Sequence, residues 1–228
     1  MGVAYGTTTL HQATKGIVQD GLVLNLDAGV KESYNGGTTW RNLNGGNEGT
    51  FNNGPVFSSA NGGNIVFDGT DDYISLNDLD LTTLTLSCWF KSDVASNGGS
   101  VIRLISKENS YVLQTDSTAT SFAKTIVVNN GSWKGVTNSN SINANTVYNL
   151  VGTYDSPTLS VYTDGQLSNS ATITGGNPSN QANNLYIGGN TTNYSYNGII
   201  YAVHIYNRAL TAAEVSRNFN VMRHRFGI

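Results

Sequence analysis

The chain has 228 residues, 12% of them charged, and a formal net charge of −3; that charged share is roughly half the usual one. So few cations exclude a nucleic-acid surface, which needs grouped Lys and Arg against phosphate. No apolar run nears the roughly 18 residues of a membrane helix, and the single cysteine, Cys88, excludes an internal disulfide.

Residues 1–20 are small, polar and aperiodic, and read as an N-terminal arm that orders on contact, with Tyr5 and His11 as candidate partner contacts. They lack the basic flank and apolar core of a signal peptide. From Gly21 the pattern changes: Leu22, Leu24 and Leu26 alternate with Val23 and Asn25 in a first strand ending at Asp27-Ala28-Gly29. Residues 33–64 are dense in turns (Asn35-Gly36-Gly37, Asn44-Gly45-Gly46, Asn53-Gly54-Pro55, Asn61-Gly62-Gly63), with Trp40, Leu43, Phe51, Val56 and Phe57 as anchors between them.

Clearer strands follow at Ile65-Val66-Phe67 and Tyr73-Ile74-Ser75-Leu76. Between Leu84 and Phe90, residues Leu84, Leu86, Cys88 and Phe90 share one face, and Thr85, Ser87 and Trp89 share the other. Further strands are expected at 101–106, 110–115, 123–129, 146–154, 158–163, 169–174, 184–188 and 197–206. Asp164-Gly165 signals a two-residue hairpin. The capping box Thr211-Ala212-Ala213-Glu214 opens one helix, running to about Asn220 and burying Val215 and Phe219. Arg217, Arg223, His224 and Arg225 form the only basic cluster; it reads as a solvated tail over 221–228, with Arg223 and Arg225 as candidate contacts to an acidic partner. Many short strands, one terminal helix and no βαβ alternation predict an all-β, two-sheet antiparallel jelly-roll sandwich, a single domain over 21–220.

Several segments together resemble the concanavalin A-like, laminin-G-like family. They are Gly21-Leu22-Val23-Leu24-Asn25-Leu26-Asp27-Ala28-Gly29, then Ile65-Val66-Phe67-Asp68-Gly69-Thr70-Asp71-Asp72-Tyr73-Ile74, then Leu84-Thr85-Leu86-Ser87-Cys88-Trp89-Phe90. Leu150-Val151-Gly152-Thr153-Tyr154-Asp155, Leu159-Ser160-Val161-Tyr162-Thr163-Asp164-Gly165, Leu185-Tyr186-Ile187-Gly188-Gly189 and Ile205-Tyr206-Asn207-Arg208-Ala209-Leu210-Thr211 follow in the family's order. The chain departs from it at Ile200-Tyr201-Ala202-Val203, where relatives often carry an acidic pair, and at Val147-Tyr148-Asn149, where relatives often begin with Trp. The opening module and the close at Arg223-His224-Arg225-Phe226-Gly227-Ile228 are similar to domains in structural proteins of tailed phages and other prokaryotic viruses. That resemblance implies a virion-surface component (capsid decoration, fibre or tail-associated protein) assembled in a host cytoplasm, with capsid or tail proteins as partners and a homo-oligomer of cyclic symmetry.

Glycoside hydrolysis, the enzymatic reading of such a fold, needs two facing carboxylates roughly 5–10 Å apart. The glutamates Glu32, Glu48, Glu108 and Glu214 sit in turns, at a strand end and in the helix cap, and no strand pairs acids at period two. His11 and His224 lie in the terminal segments and His204 in a strand, and Cys88 shares a face with Leu84, Leu86 and Phe90, so no nucleophilic constellation emerges. An enzyme is therefore not expected. Calcium is the metal that Asp68, Asp71 and Asp72 would suit, but turn roles account for Asp68-Gly69, and no metal or cofactor is assigned. Carbohydrate binding needs exposed rings flanked by amides. Trp133, in the loop-like stretch Asn129–Lys134, and Tyr194, Tyr196 and Asn193 in an Asn-rich loop are the candidates for cell-surface glycans, against a plain role as turn anchors or subunit contacts. Trp89 opposes the core face of its strand, where a further layer would bury it. The leading expectation is a virion structural protein; a lectin or adhesin is the alternative.

Overall fold

The computed structural model describes residues 16–93, 101–115, 122–129, 131–191 and 194–228. Its strands in the first half are β1 (Leu22–Asp27), β2 (Thr39–Trp40), β3 (Gly49–Asn52), β4 (Val56–Ser58), β5 (Asn64–Asp68), β6 (Tyr73–Leu76), β7 (Leu84–Ser92) and β8 (Ile102–Lys107). Those in the second are β9 (Tyr111–Thr115), β10 (Phe122–Asn129), β11 (Ser132–Ser141), β12 (Val147–Asp155), β13 (Thr158–Thr163), β14 (Gln166–Thr172), β15 (Leu185–Ile187) and β16 (Asn197–Tyr206). They form two eight-stranded antiparallel sheets. Sheet A runs β14-β13-β12-β7-β16-β5-β4, with β1 also paired to β16; sheet B runs β11-β10-β9-β8-β15-β6-β3-β2. Helix α1 (Ala212–Met222) and a 3-10 turn (Arg223–Phe226) close the chain. This is the two-sheet sandwich that the alternating pattern predicts.

The period of two in β7 decides how the layers stack. Leu84, Leu86, Cys88 and Phe90 enter the core between the sheets, with Leu24, Leu26, Ile105, Leu113, Leu150 and Ile187. Burial pushes the Cys88 thiol well above its ordinary range, so it stays protonated and unreactive. Trp89 faces the other way and is buried all the same, in a second cluster with Val151, Tyr162, Tyr201, Tyr206, Val215 and Met222. Phe219 of α1 stacks on Trp89 at 5.5 Å and Phe226 at 4.7 Å, so the helix and the turn after it are the layer that covers sheet A. The helix starts as its capping box requires: the Thr211 side chain accepts from the Glu214 N–H, and Glu214 reaches back to the Thr211 N–H. The Asp164-Gly165 hairpin is also as expected, with φ of 51° and 77°, values only a primed turn supplies.

Three segments differ from the sequence reading. Trp133 does not sit in a loop: it lies at the start of β11, which pairs with β10 from Asn129↔Ser132 outward. The sequence hides this strand because its polar run sends one apolar side chain, Val136, to the core. The residues 221–228 are not a solvated tail. Arg225 pairs with Asp27 at 2.6 Å, both side chains nearly inaccessible, and Phe226 packs on Trp89. Arg225 is therefore spent inside the chain rather than on a partner, while Arg223 stands 5.9 Å over the Phe219 ring. Of the arm, residues 16–20 are described, and Ile17 and Val18 are buried in the second cluster, where Tyr206 Oη donates to the Val18 carbonyl at 3.0 Å. Tyr5 and His11 lie outside the described residues.

Candidate functional site

With helix α1 over sheet A, the outer face of sheet B is the broad face without a covering helix. In β8, Ile102 and Leu104 point into the core and Arg103 points away from it. A register shift between Arg103 and Ile105 then sends both Leu104 and Ile105 inward. Such a bulge leaves the outward residue isolated among apolar neighbours. Gln114 of β9 pairs with Arg103 and alternates with the core residue Leu113, so it shares the outer face. On the same sheet Tyr73 and Tyr186 meet edge to face at 5.7 Å.

Around Arg103 the chain builds a pocket of about 160 Å³, lined by Val101, Arg103, Gln114, Trp133 and Tyr194. The Tyr194 ring lies 3.8 Å from the guanidinium carbon and the Trp133 ring 5.9 Å. Trp133 is three strands away from Arg103 in sheet B and four residues off its ladder row (Arg103↔Gln114↔Lys124↔Thr137), about 14 Å across and about 13 Å along a flat sheet. The contact therefore requires sheet B to twist strongly between β8 and β11. Side-chain bonds tie the middle of β11 to sheet A: Asn138 Nδ2 donates to Thr163 Oγ1 at 2.6 Å, and Asn169 Nδ2 donates to the Thr137 carbonyl at 2.9 Å.

Arg103 is 7% exposed. It pairs through Nη1 with the Glu108 carboxylate, which also accepts from Asn190 Nδ2 at 2.9 Å. Asn183 Nδ2 bonds the Glu108 carbonyl at 3.1 Å, which fixes the β8–β9 turn. Among the described residues, the Nε proton of Arg103 is enclosed without an acceptor. Trp133 is 44% exposed, so its ring is open to a ligand.

The structure thus brings Trp133 and Tyr194 together, as a sugar site would need, and separates Tyr196 from them. Tyr196 is fully buried between Phe67 and Phe90, its hydroxyl donating to the Ile199 carbonyl at 3.2 Å. It is a core residue, its N–H donating to the Gly188 carbonyl at 3.1 Å, and Ser195 before it is fixed by its Oγ donating to the Thr70 carbonyl at 2.6 Å. Asn193 lies outside the described residues. Arg103, Gln114 and Glu108 were missed as site residues. The signal was there: an arginine inside Val101-Ile102-Arg103-Leu104-Ile105 can be tolerated only if its strand face is not the core.

The carboxylates of Asp68, Asp71 and Asp72 come within 4.8 Å of one another. Turn bonds account for two of them: Asp72 accepts from the Asp68 N–H at 3.0 Å, and Asp68 from the Thr70 N–H at 2.7 Å. Burial, helped by the neighbouring Asp68 and Asp71, pushes the Asp72 carboxyl up. No metal is assigned there. Among the described residues, no helix is long and apolar enough to cross a membrane.

Residues 68–216 match the family model of the Concanavalin A-like lectin/glucanases superfamily. The chain is similar in structure to the binding domain of Paraclostridial Mosquitocidal Protein 1, with 15% identity and a TM-score of 0.69, over 88% of this chain and 52% of that one. It is similar to the receptor binding domain of botulinum neurotoxin type G, with 17% identity and a TM-score of 0.67, over 89% and 51%. It is also similar to domain 4 of AbnA, a GH43 extracellular arabinanase from Geobacillus stearothermophilus, solved in complex with arabinotriose, with 16% identity and a TM-score of 0.68, over 86% and 97%. The chain spans about half the length of the toxin domains. At these identities the likeness is one of fold. No curated protein sequence matches the chain.

Proposed function

The chain belongs to the Concanavalin A-like lectin/glucanases superfamily, and on that premise we propose that it is a non-enzymatic binding domain that holds a saccharide over Arg103. The observation that carries the reading is the open Trp133 ring beside Tyr194, Arg103 and Gln114 in one pocket. A sugar ring offers C–H faces to an aromatic and hydroxyls to an amide or guanidinium, and this lining supplies both kinds of partner. The fold shared with a domain solved with arabinotriose supports it. Hydrolysis would need two opposed carboxylates, and none of the described lining residues is acidic. Glu108, just behind, is held by Arg103 and Asn190.

A glycan array on the purified chain is the test, followed by Trp133→Ala and Tyr194→Ala. Each variant is expected to lose roughly tenfold or more in affinity, as removal of a stacking ring does, while keeping its thermal midpoint. Silence across the array at high protein density would reject the reading.

For the setting of this domain we keep the one that the module order implies, the surface of a virion, where a fibre, decoration or tail-associated protein would present the pocket to cell-surface glycans. With Arg225 engaged internally, attachment to a capsid or tail partner would fall to the N-terminal residues, Tyr5 and His11 among them. Mass spectrometry of purified particles should find the protein in many copies; its absence from mature particles would rule out this setting without touching the binding role.

A further inference from the structure

We propose that the saccharide taken by this pocket is acidic, carrying a carboxylate that closes on the free edge of Arg103, as a uronic or sialic acid would. The proposal rests on the reading of the pocket as a saccharide site and names the class of sugar. A guanidinium has two edges able to grip a planar anion, one made by Nη1 and Nη2 and the other by Nε and Nη2. Glu108 occupies Nη1. The Nε proton has no acceptor among the described residues, although Arg103, which lines the pocket, is 7% exposed. A buried donor without a partner is a standing cost to the unliganded fold, removed when an acceptor arrives.

The rings decide the direction of approach. Tyr194, at 3.8 Å, covers a face of the guanidinium, and Trp133 stands at 5.9 Å. Glu108 keeps the group from swinging, so an incoming anion meets an edge of fixed orientation. A hydroxyl would fill one of the two N–H positions on that edge; a carboxylate fills both, and its charge strengthens each bond. Asn190 also bonds Glu108, which draws part of that residue's negative charge away from the edge where the ligand would sit.

The experiment compares paired glycans on the unaltered chain: sialylated against desialylated oligosaccharides, and uronate oligosaccharides against their carboxyl-reduced forms. The acidic member of at least one pair is expected to bind about tenfold tighter or more, with the gap narrowing as NaCl is raised. Arg103→Lys, which keeps the charge and loses the fork, should close most of that gap, its folding checked by thermal melting. Because the paired comparison needs no variant, a loss of fold in Arg103→Lys leaves the result readable. Equal binding of acidic and neutral partners overturns the acidic assignment and leaves the saccharide site standing. Binding of no glycan overturns both.

Discussion

Asp27 and Arg225 are 198 positions apart in sequence and bonded at 2.6 Å. Asp27 also accepts from the Gly29 N–H at 2.8 Å, and Arg225 Nε donates to the Asn61 carbonyl at 2.9 Å. Removing one member of a buried pair strands the other, at a cost of about 3–5 kcal/mol. Arg225→Ala should therefore lower the urea midpoint sharply, and the double change Asp27→Asn with Arg225→Met should recover part of the loss. His204 is close enough to feel both charges. Burial lowers its pKa from 6.5 to about 4; Asp27 partly opposes the shift and Arg225 adds to it. Between those two pH values the unfolded chain holds a proton that the folded chain refuses. Stability is therefore full above pH 7 and falls as the pH drops from 6.5 to 4. Urea melts at pH 8, 6 and 4.5 should show that slope, and His204→Gln should flatten it. Glu214, held at about 2 chiefly by the Arg208 side chain, acts in a lower window: its contribution is present above about 4.5 and fades toward pH 2.

Among the elements, α1 is the one whose removal would alter the surface most. Thr211→Ala deletes its cap, which is expected to cost about 1 kcal/mol, readable as a drop of a few degrees in thermal midpoint. The helix itself was legible from four residues, but its destination was not. The alternation of β7 assigned Cys88 and Trp89 to opposite faces; that the second face is also dry depends on Phe219 and Phe226, which meet it only through tertiary packing. The same limit applies at the pocket. Trp133 and Tyr194 were readable as exposed-ring candidates, whereas Tyr196, two positions further, goes to the core between Phe67 and Phe90, a destination set by tertiary packing. Arg103 and Gln114 become one site through the β8–β9 register, a property of the pairing rather than of either segment. β11 is fixed by its ladder to β10, with one core anchor in Val136.

For the whole molecule, the sandwich has two unlike outer faces. Sheet A is sealed by α1 and the turn that follows it, and sheet B carries the pocket. The chain enters the described body beside its own end: Gly16 would meet Val221 at 3.1 Å if it carried a Cβ, and Ile17, Val18 and Met222 share one cluster. Residues 16–18 and the end of α1 thus lie together on the side that α1 covers. A domain tethered by either end would stand with its back to the anchor and its binding surface turned outward. Immobilised on a sensor through an N-terminal tag or through a C-terminal one, it should give the same glycan affinity. Blocking at one orientation alone would mean that these segments and the pocket do not lie back to back. Arrayed in many copies on a larger body, weak single sites of such a domain would sum into avidity.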